Sequence, residues 1–163
     1  MTTAADGGYR ERLLGLLGDR NPLEALAENP KRIETVARRL GDAGLSRSYG
    51  PGKWTGKQVV AHLADAEMGI GFRIRQVLSE DNHRVQPWDE GAWARRYTDV
   101  DVESALSSYL ASRRWNLSLL RGLSSEDLER QAFHPERGSE TLGTIVRILA
   151  GHDLNHLAQL ERL

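Results

Sequence analysis

Apolar residues along the chain recur mainly at helical spacing, and strand-type alternation is nearly missing. From about Tyr9 to Gly41 the pattern predicts helix, broken around Asn21-Pro22 and Asn29-Pro30, where proline suits a first helical turn. Leu23, Leu26, Ile33, Val36, Leu40 and Leu45 supply its apolar side. Gly50-Pro51-Gly52-Lys53 is a turn cluster, and beyond it Thr55 and Gln58 have the T-x-x-Q spacing of a capping box, which predicts a helix from there to about Ser79. The segment from Glu80 to Val100 holds Pro87, Trp88, Gly91 and Trp93 without periodicity and reads as a long connection. Leu106, Leu110, Arg113, Leu117 and Leu120 mark one face of a third helix, with Asp101 as its candidate cap. After a short capped turn at Ser124–Leu128 and a loop at Phe133–Gly138, the last helix is expected from about Thr141 to Arg162. Its stripe is Ile145, Leu149, His152, His156, Leu160 and Leu163.

These four long helices predict an all-α fold, a four-helix bundle forming a single domain over residues 1–163. Loop length selects its topology. An up-down-up-down bundle uses short loops throughout. The connection of about 20 residues between the second and third helices is long enough to travel a helix of about 36 Å, at about 3.3 Å per residue. That permits these two helices to run parallel, giving an up-down-down-up bundle in which the second and fourth are antiparallel.

The candidate chemistry lies on those two helices. His152 and His156 are four residues apart, so their imidazoles stack on one face with about 6 Å of rise between them, and His62 sits in the second turn of its helix. In the up-down-down-up arrangement the three fall at matching depth; in the simple alternative they would be offset by roughly 7 to 13 Å along the axis. One histidine on an apolar seam is ordinarily a hydrogen-bonded core residue. Three at one depth leave polar nitrogens that need partners, and a cation satisfies them together. His62, His152 and His156 are therefore the candidate metal ligands. Three neutral imidazoles suit Zn²⁺, Ni²⁺, Cu²⁺ or Fe²⁺, with Zn or Ni expected, and leave positions open for water or substrate, which argues for catalysis. Such an ion would either lower the pKa of bound water or hold an exogenous thiolate. A di-iron site is disfavoured, because such bundles use paired E-x-x-H motifs.

Arg113, the one charge on the third helix's stripe, and Arg73, eleven residues after His62, are the candidates for binding an anionic group of a substrate or cofactor; each has an ion pair with a bundle carboxylate as its alternative. Asp65 and Asp153 are candidates for orienting an imidazole, with a merely solvated carboxylate as the alternative for each. His83 and His134 are expected at the surface, and the four tryptophans as packing residues or the lips of a cleft.

Composition narrows the field. Lys and Arg number 22 against 23 Asp and Glu, so a net charge of −1 offers no electrostatic case for nucleic acid or an anionic membrane. Cysteine is absent, which removes disulfides and protein thiolate ligands. Residues Met1–Gly8 lack the charged start and apolar stretch of a secretion signal, and no apolar run approaches the roughly 18 residues of a membrane span, so a cytoplasmic protein acting on a small molecule is expected.

The run Trp54-Thr55-Gly56-Lys57-Gln58-Val59-Val60-Ala61-His62-Leu63-Ala64-Asp65-Ala66-Glu67, with Gly151-His152-Asp153-Leu154-Asn155-His156-Leu157-Ala158-Gln159, resembles the DinB/YfiT-like superfamily, and the likeness extends to Asn21-Pro22-Leu23 and to the His134–Gly138 loop. The resemblance implies an up-down-down-up bundle holding a divalent metal on His62, His152 and His156. It further implies a homodimer and one of several activities: transfer of a low-molecular-weight thiol such as bacillithiol or mycothiol onto small electrophiles, which is the leading expectation, or metal-dependent hydrolysis. The non-enzymatic alternative is a stress-related bundle with a structural metal, which predicts a fourth protein ligand.

Overall fold

The computed structural model describes residues 5–163; the reading of the first residues as leader-free lies in part outside them. Helix α1 spans Ala5–Leu17, α2 Pro22–Leu45, α3 Gly56–Ser79, α4 Glu90–Ala94, α5 Val102–Leu120, α6 Ser125–Leu128 and α7 Leu142–Leu160, with strands β1 His83–Arg84, β2 Gln131–His134 and β3 Gly138–Thr141. The long helices begin where side chains satisfy their free N–H groups. Asn21 accepts from the amides of Leu23 and Glu24 ahead of Pro22. The Thr55–Gln58 capping box forms in both directions. Asp101 accepts from the amides of Glu103 and Ser104, and Thr141 from that of Thr144.

Four helices, α2, α3, α5 and α7, make the bundle, and their cross-contacts fix its sense. Glu67 meets Arg113, and Arg75 meets Asn116, so α3 and α5 run parallel. Arg38 reaches Glu103 while the Leu26 carbonyl accepts from Arg113, which makes α2 antiparallel to α5. Gly56 packs on Leu163, and His62 faces His152, so α7 is antiparallel to α3. The order is up-down-down-up, as loop length suggests. The connection that allows it is better ordered than expected: it carries β1 and α4, and β1 pairs parallel with β2, which pairs antiparallel with β3. The predicted loop at Phe133–Gly138 is thus largely a β-hairpin, with Gly138 at φ 77° where its backbone turns left-handed.

Pro30 does not break α2, contrary to the expectation. A mid-helix proline leaves the carbonyl four residues earlier without its N–H partner. Here that carbonyl belongs to Leu26, and Nη1 of Arg113 donates to it at 3.2 Å. The interruption falls instead at Gly41, whose φ of 59° lies outside the helical range. Helix α1 lies against α7, where a side chain at Gly151 would bring its Cβ to 2.0 Å from the Leu13 carbonyl oxygen.

The core has two apolar halves. Ile33, Val60, Leu63, Leu106 and Leu160 belong to one, and Leu26, Ile74, Leu117, Ile145 and Leu149 to the other. Buried polar residues from α3, α5 and α7 fall between these halves in sequence: Glu67, Arg113 and His156. Among the described residues no helix is long and apolar enough to cross a membrane.

Candidate metal centre

The capping box sets the start of α3, and six residues into that helix His62 faces α7. There Nε2 of His62 lies 2.9 Å from Nε2 of His152. Nε2 of His156 lies 3.1 Å from the same atom. All three side chains are buried. Trp54, immediately before the cap, walls the cluster with its ring 4.8 Å from that of His62 and stacked at 6.3 Å over that of His156.

These nitrogens cannot satisfy one another. A neutral imidazole nitrogen carries either a proton or a lone pair, so Nε2 of His152 cannot donate to one neighbour and accept from the other. His156 fixes its own state: its Nδ1–H donates to Oε1 of Gln159 at 2.7 Å, which leaves a lone pair on Nε2. Nδ1 of His152 has no partner among the described residues. Protonation is no remedy, because burial holds all three well below the usual imidazole range, His156 at about 4, and for His62 and His152 the neighbouring imidazoles add to it. Three neutral nitrogens within 4.8 Å of one another, two of them about 3 Å from the third, fit a cation. A tetrahedral zinc with bonds of about 2.0–2.1 Å wants its ligand atoms roughly 3.3 Å apart. Among the described residues no fourth histidine, cysteine or carboxylate joins the group.

Next to the histidines is a second buried polar cluster. Arg113 donates to Oε2 of Glu67 from Nε and Nη2, at 3.0 and 2.7 Å. It also donates to both oxygens of Asp153, at 2.6 and 3.1 Å. Asn116 donates to Oε1 of Glu67 at 2.9 Å. This corrects two expectations. Arg113 faces carboxylates and no cavity, so its ion-pair alternative is the one the structure adopts. Asp153 serves Arg113 rather than an imidazole, and Asp65 accepts from the Tyr97 hydroxyl. Glu67 was overlooked, although it sits on the α3 seam between Leu63 and Ile70, facing the lone arginine of the α5 seam. Gln159 was also overlooked, and its spacing of three from His156 was the available signal.

Arg73 behaves differently. It is buried at one end of a cavity of about 200 Å³, and its guanidinium lies 4.7 Å over the Trp88 ring. His152 forms part of the same wall. His83 and His134 are buried on β1 and β2, not at the surface. Nδ1 of His134 accepts from the Glu136 amide, and the ring borders the cavity. His83 pairs through Nδ1 with Glu80 at 2.6 Å, a single E-x-x-H beyond the end of α3 that plays no part in the cluster.

A match to the DinB superfamily covers residues 25–160. The chain belongs to the DinB superfamily. A protein of Oceanobacillus iheyensis is 36% identical over 143 residues, 86% of this chain and 83% of its own length. One from Bacillus pumilus is 30% identical over 144 residues, 86% of this chain and 82% of its own length. Both carry provisional names as metal-dependent hydrolases. Among solved structures, YfiT from Bacillus subtilis, provisionally a metal-dependent hydrolase with an unusual four-helix bundle topology, superposes with a TM-score of 0.82 at 27% identity, covering 86% of this chain and 82% of that one.

Proposed function

We propose that this DinB-superfamily protein is a metal-dependent hydrolase of small molecules whose ion, zinc or nickel, is held by His62, His152 and His156. The observation that carries the reading is the convergence of three buried, neutral imidazole nitrogens, joined by no fourth histidine, cysteine or carboxylate among the described residues. A divalent ion bound there supplies Lewis acidity and lowers the pKa of a coordinated water. The protein's own part is to present lone pairs: the Gln159 acceptor orients His156, and Trp54 covers the cluster on one side. The cavity beside His152, about 200 Å³, admits a small molecule. Hydrolysis is preferred to thiol transfer because the relatives are named for hydrolysis and no residue described here marks a thiol subsite.

The test is metal content and turnover of tag-free protein. One equivalent of ion per chain is expected for the wild type and less than a tenth of that for His62→Ala. Hydrolysis of activated esters should stop on chelation, return with Zn²⁺ or Ni²⁺, and need no added thiol. Metal-free wild type that neither Zn²⁺ nor Ni²⁺ stabilises would refute the proposal, and turnover strictly dependent on thiol would return it to the transferase reading.

A further inference from the structure

The cavity beside the metal centre has a direction. On α3 the residues Ala66, Ile70 and Arg73 line it at intervals of four and three, continuing the stripe that begins at His62. On the antiparallel α7, His152, Ile148 and Ile145 line the facing wall at the same intervals. Two stripes thus run from imidazole at one end, through apolar side chains, towards a guanidinium at the other, over about 10 Å of α7 between His152 and Ile145. Leu13, Pro87 and Trp88 complete the apolar girdle.

The guanidinium at the far end is unusual in its company. Arg113 has two carboxylates and Arg137 has Glu140, at 2.7 Å, whereas among the described residues Arg73 makes no ion pair within 4 Å, and its guanidinium lies over the face of Trp88. Burial and the like charge of Arg137 push Arg73 down to about 10, against the opposing pull of the Glu140 and Glu90 carboxylates. A buried cation beside a second cation, with an apolar cavity in front of it, is a site completed by an anion. Of the charged residues that line the cavity, Arg10, Arg73 and Arg137 stand against Glu90 and Glu136, a formal excess of one positive charge that suits a monoanion.

We propose that the substrate is a small monocarboxylate with an apolar body, its carboxylate seated on Arg73 and its reacting group at the three histidines. The guanidinium fork matches a carboxylate in two hydrogen bonds, and the Ile–Trp girdle takes the body between the ends. The identity of the reacting end rests on the hydrolase reading; the anion seat does not.

The experiment separates the two. Phenylacetate and its neutral amide are titrated by calorimetry and tryptophan fluorescence into metal-free and zinc-loaded protein, and into Arg73→Met, Arg73→Lys and His62→Ala. Phenylacetate is expected to bind wild type at least tenfold tighter than phenylacetamide with or without zinc. Arg73→Met should bring the acid down to the level of the amide, and Arg73→Lys should weaken it severalfold, since an ammonium lacks the fork. His62→Ala should lose zinc and keep the preference for the acid. Equal binding of acid and amide overturns the proposal, as does wild-type affinity in both Arg73 variants or loss of the preference in His62→Ala, which would place the carboxylate on the metal. Phenyl phosphate binding more tightly than phenylacetate overturns the monoanion. Should Arg73→Met fold poorly, the acid-to-amide ratio in wild type and the lysine variant still decide.

Discussion

Two polar clusters lie side by side, the histidines on α3 and α7 and the charged network on α3, α5 and α7, both buried, and only one is complete. Glu67, Arg113, Asp153 and Asn116 exchange hydrogen bonds until each charge has an opposite partner. His62, His152 and His156 bring like atoms together: ring nitrogens that cannot all pair with one another, on rings whose protonation burial disfavours. Burial of polar groups is tolerated where partners exist, and a cluster that lacks them in the protein alone is built for something from outside. The neighbouring network supplies no such partner, since, after burial and the two other imidazoles, the charge of Arg113 adds to the lowering of the His152 pKa. Arg113 also ties α3 to α7 through Glu67 and Asp153, clamping the helices that carry the ligands.

The sharpest way to break the contrast is to make the complete cluster incomplete. Arg113→Met strands two buried carboxylates and leaves the Leu26 carbonyl with no donor, so a loss of about 3–5 kcal/mol is expected in urea denaturation. Replacing Glu67, Arg113 and Asp153 together by Leu, Met and Leu should recover most of that, because no uncompensated charge remains. If the single variant were as stable as wild type, the network would contribute nothing to the bundle.

Acid should act on the other cluster. The folded-state pKa values of the three histidines are depressed, so below the unfolded value of about 6.5 the unfolded chain binds protons that the native chain refuses. Metal-free protein is therefore expected to lose stability as pH falls from about 6.5 towards about 4, the range bounded by the value for His156. That slope should be shallower in His62→Ala, and bound metal should leave over the same range, since protons compete for the nitrogens. Unfolding midpoints measured across that range, with and without metal, check both; a slope unchanged in His62→Ala would mean that the imidazoles are not buried as neutral groups.

The sequence makes these two clusters unequally legible. Helical period, the Thr55–Gln58 box and the length of the Glu80–Val100 connection suffice for the bundle and its sense, because caps and loop reach are local properties. The three histidines are readable for the same reason: their depth follows from helix ends. The charged network is less so. Arg113 stands out alone on its stripe, but its partner Glu67 is hidden in a run noted for its histidine, and pairing between seams depends on how α3 and α5 are staggered. Pro30 reads as a break because its rescue by Arg113 comes from 83 positions away in sequence. The strands escape notice because two or four residues are too few to show a period, and with them goes the burial of His83 and His134.

The smallest effect should fall on the link between a ligand and its support. Gln159 holds the proton of His156 on Nδ1 and so aims the Nε2 lone pair at the other two nitrogens. Gln159→Leu preserves bulk and removes only the acceptor. Loss of such a partner ordinarily costs about 10–100-fold in metal affinity, or about 1.4–2.7 kcal/mol. Competition with a chromogenic chelator reads that loss directly, whereas the stability of the metal-free chain should change far less, because the hydrogen bond lies at the edge of the cluster. A large loss of metal-free stability with unchanged metal affinity would make Gln159 a packing residue, and the orientation of His156 would then have to come from Trp54 stacked against its ring.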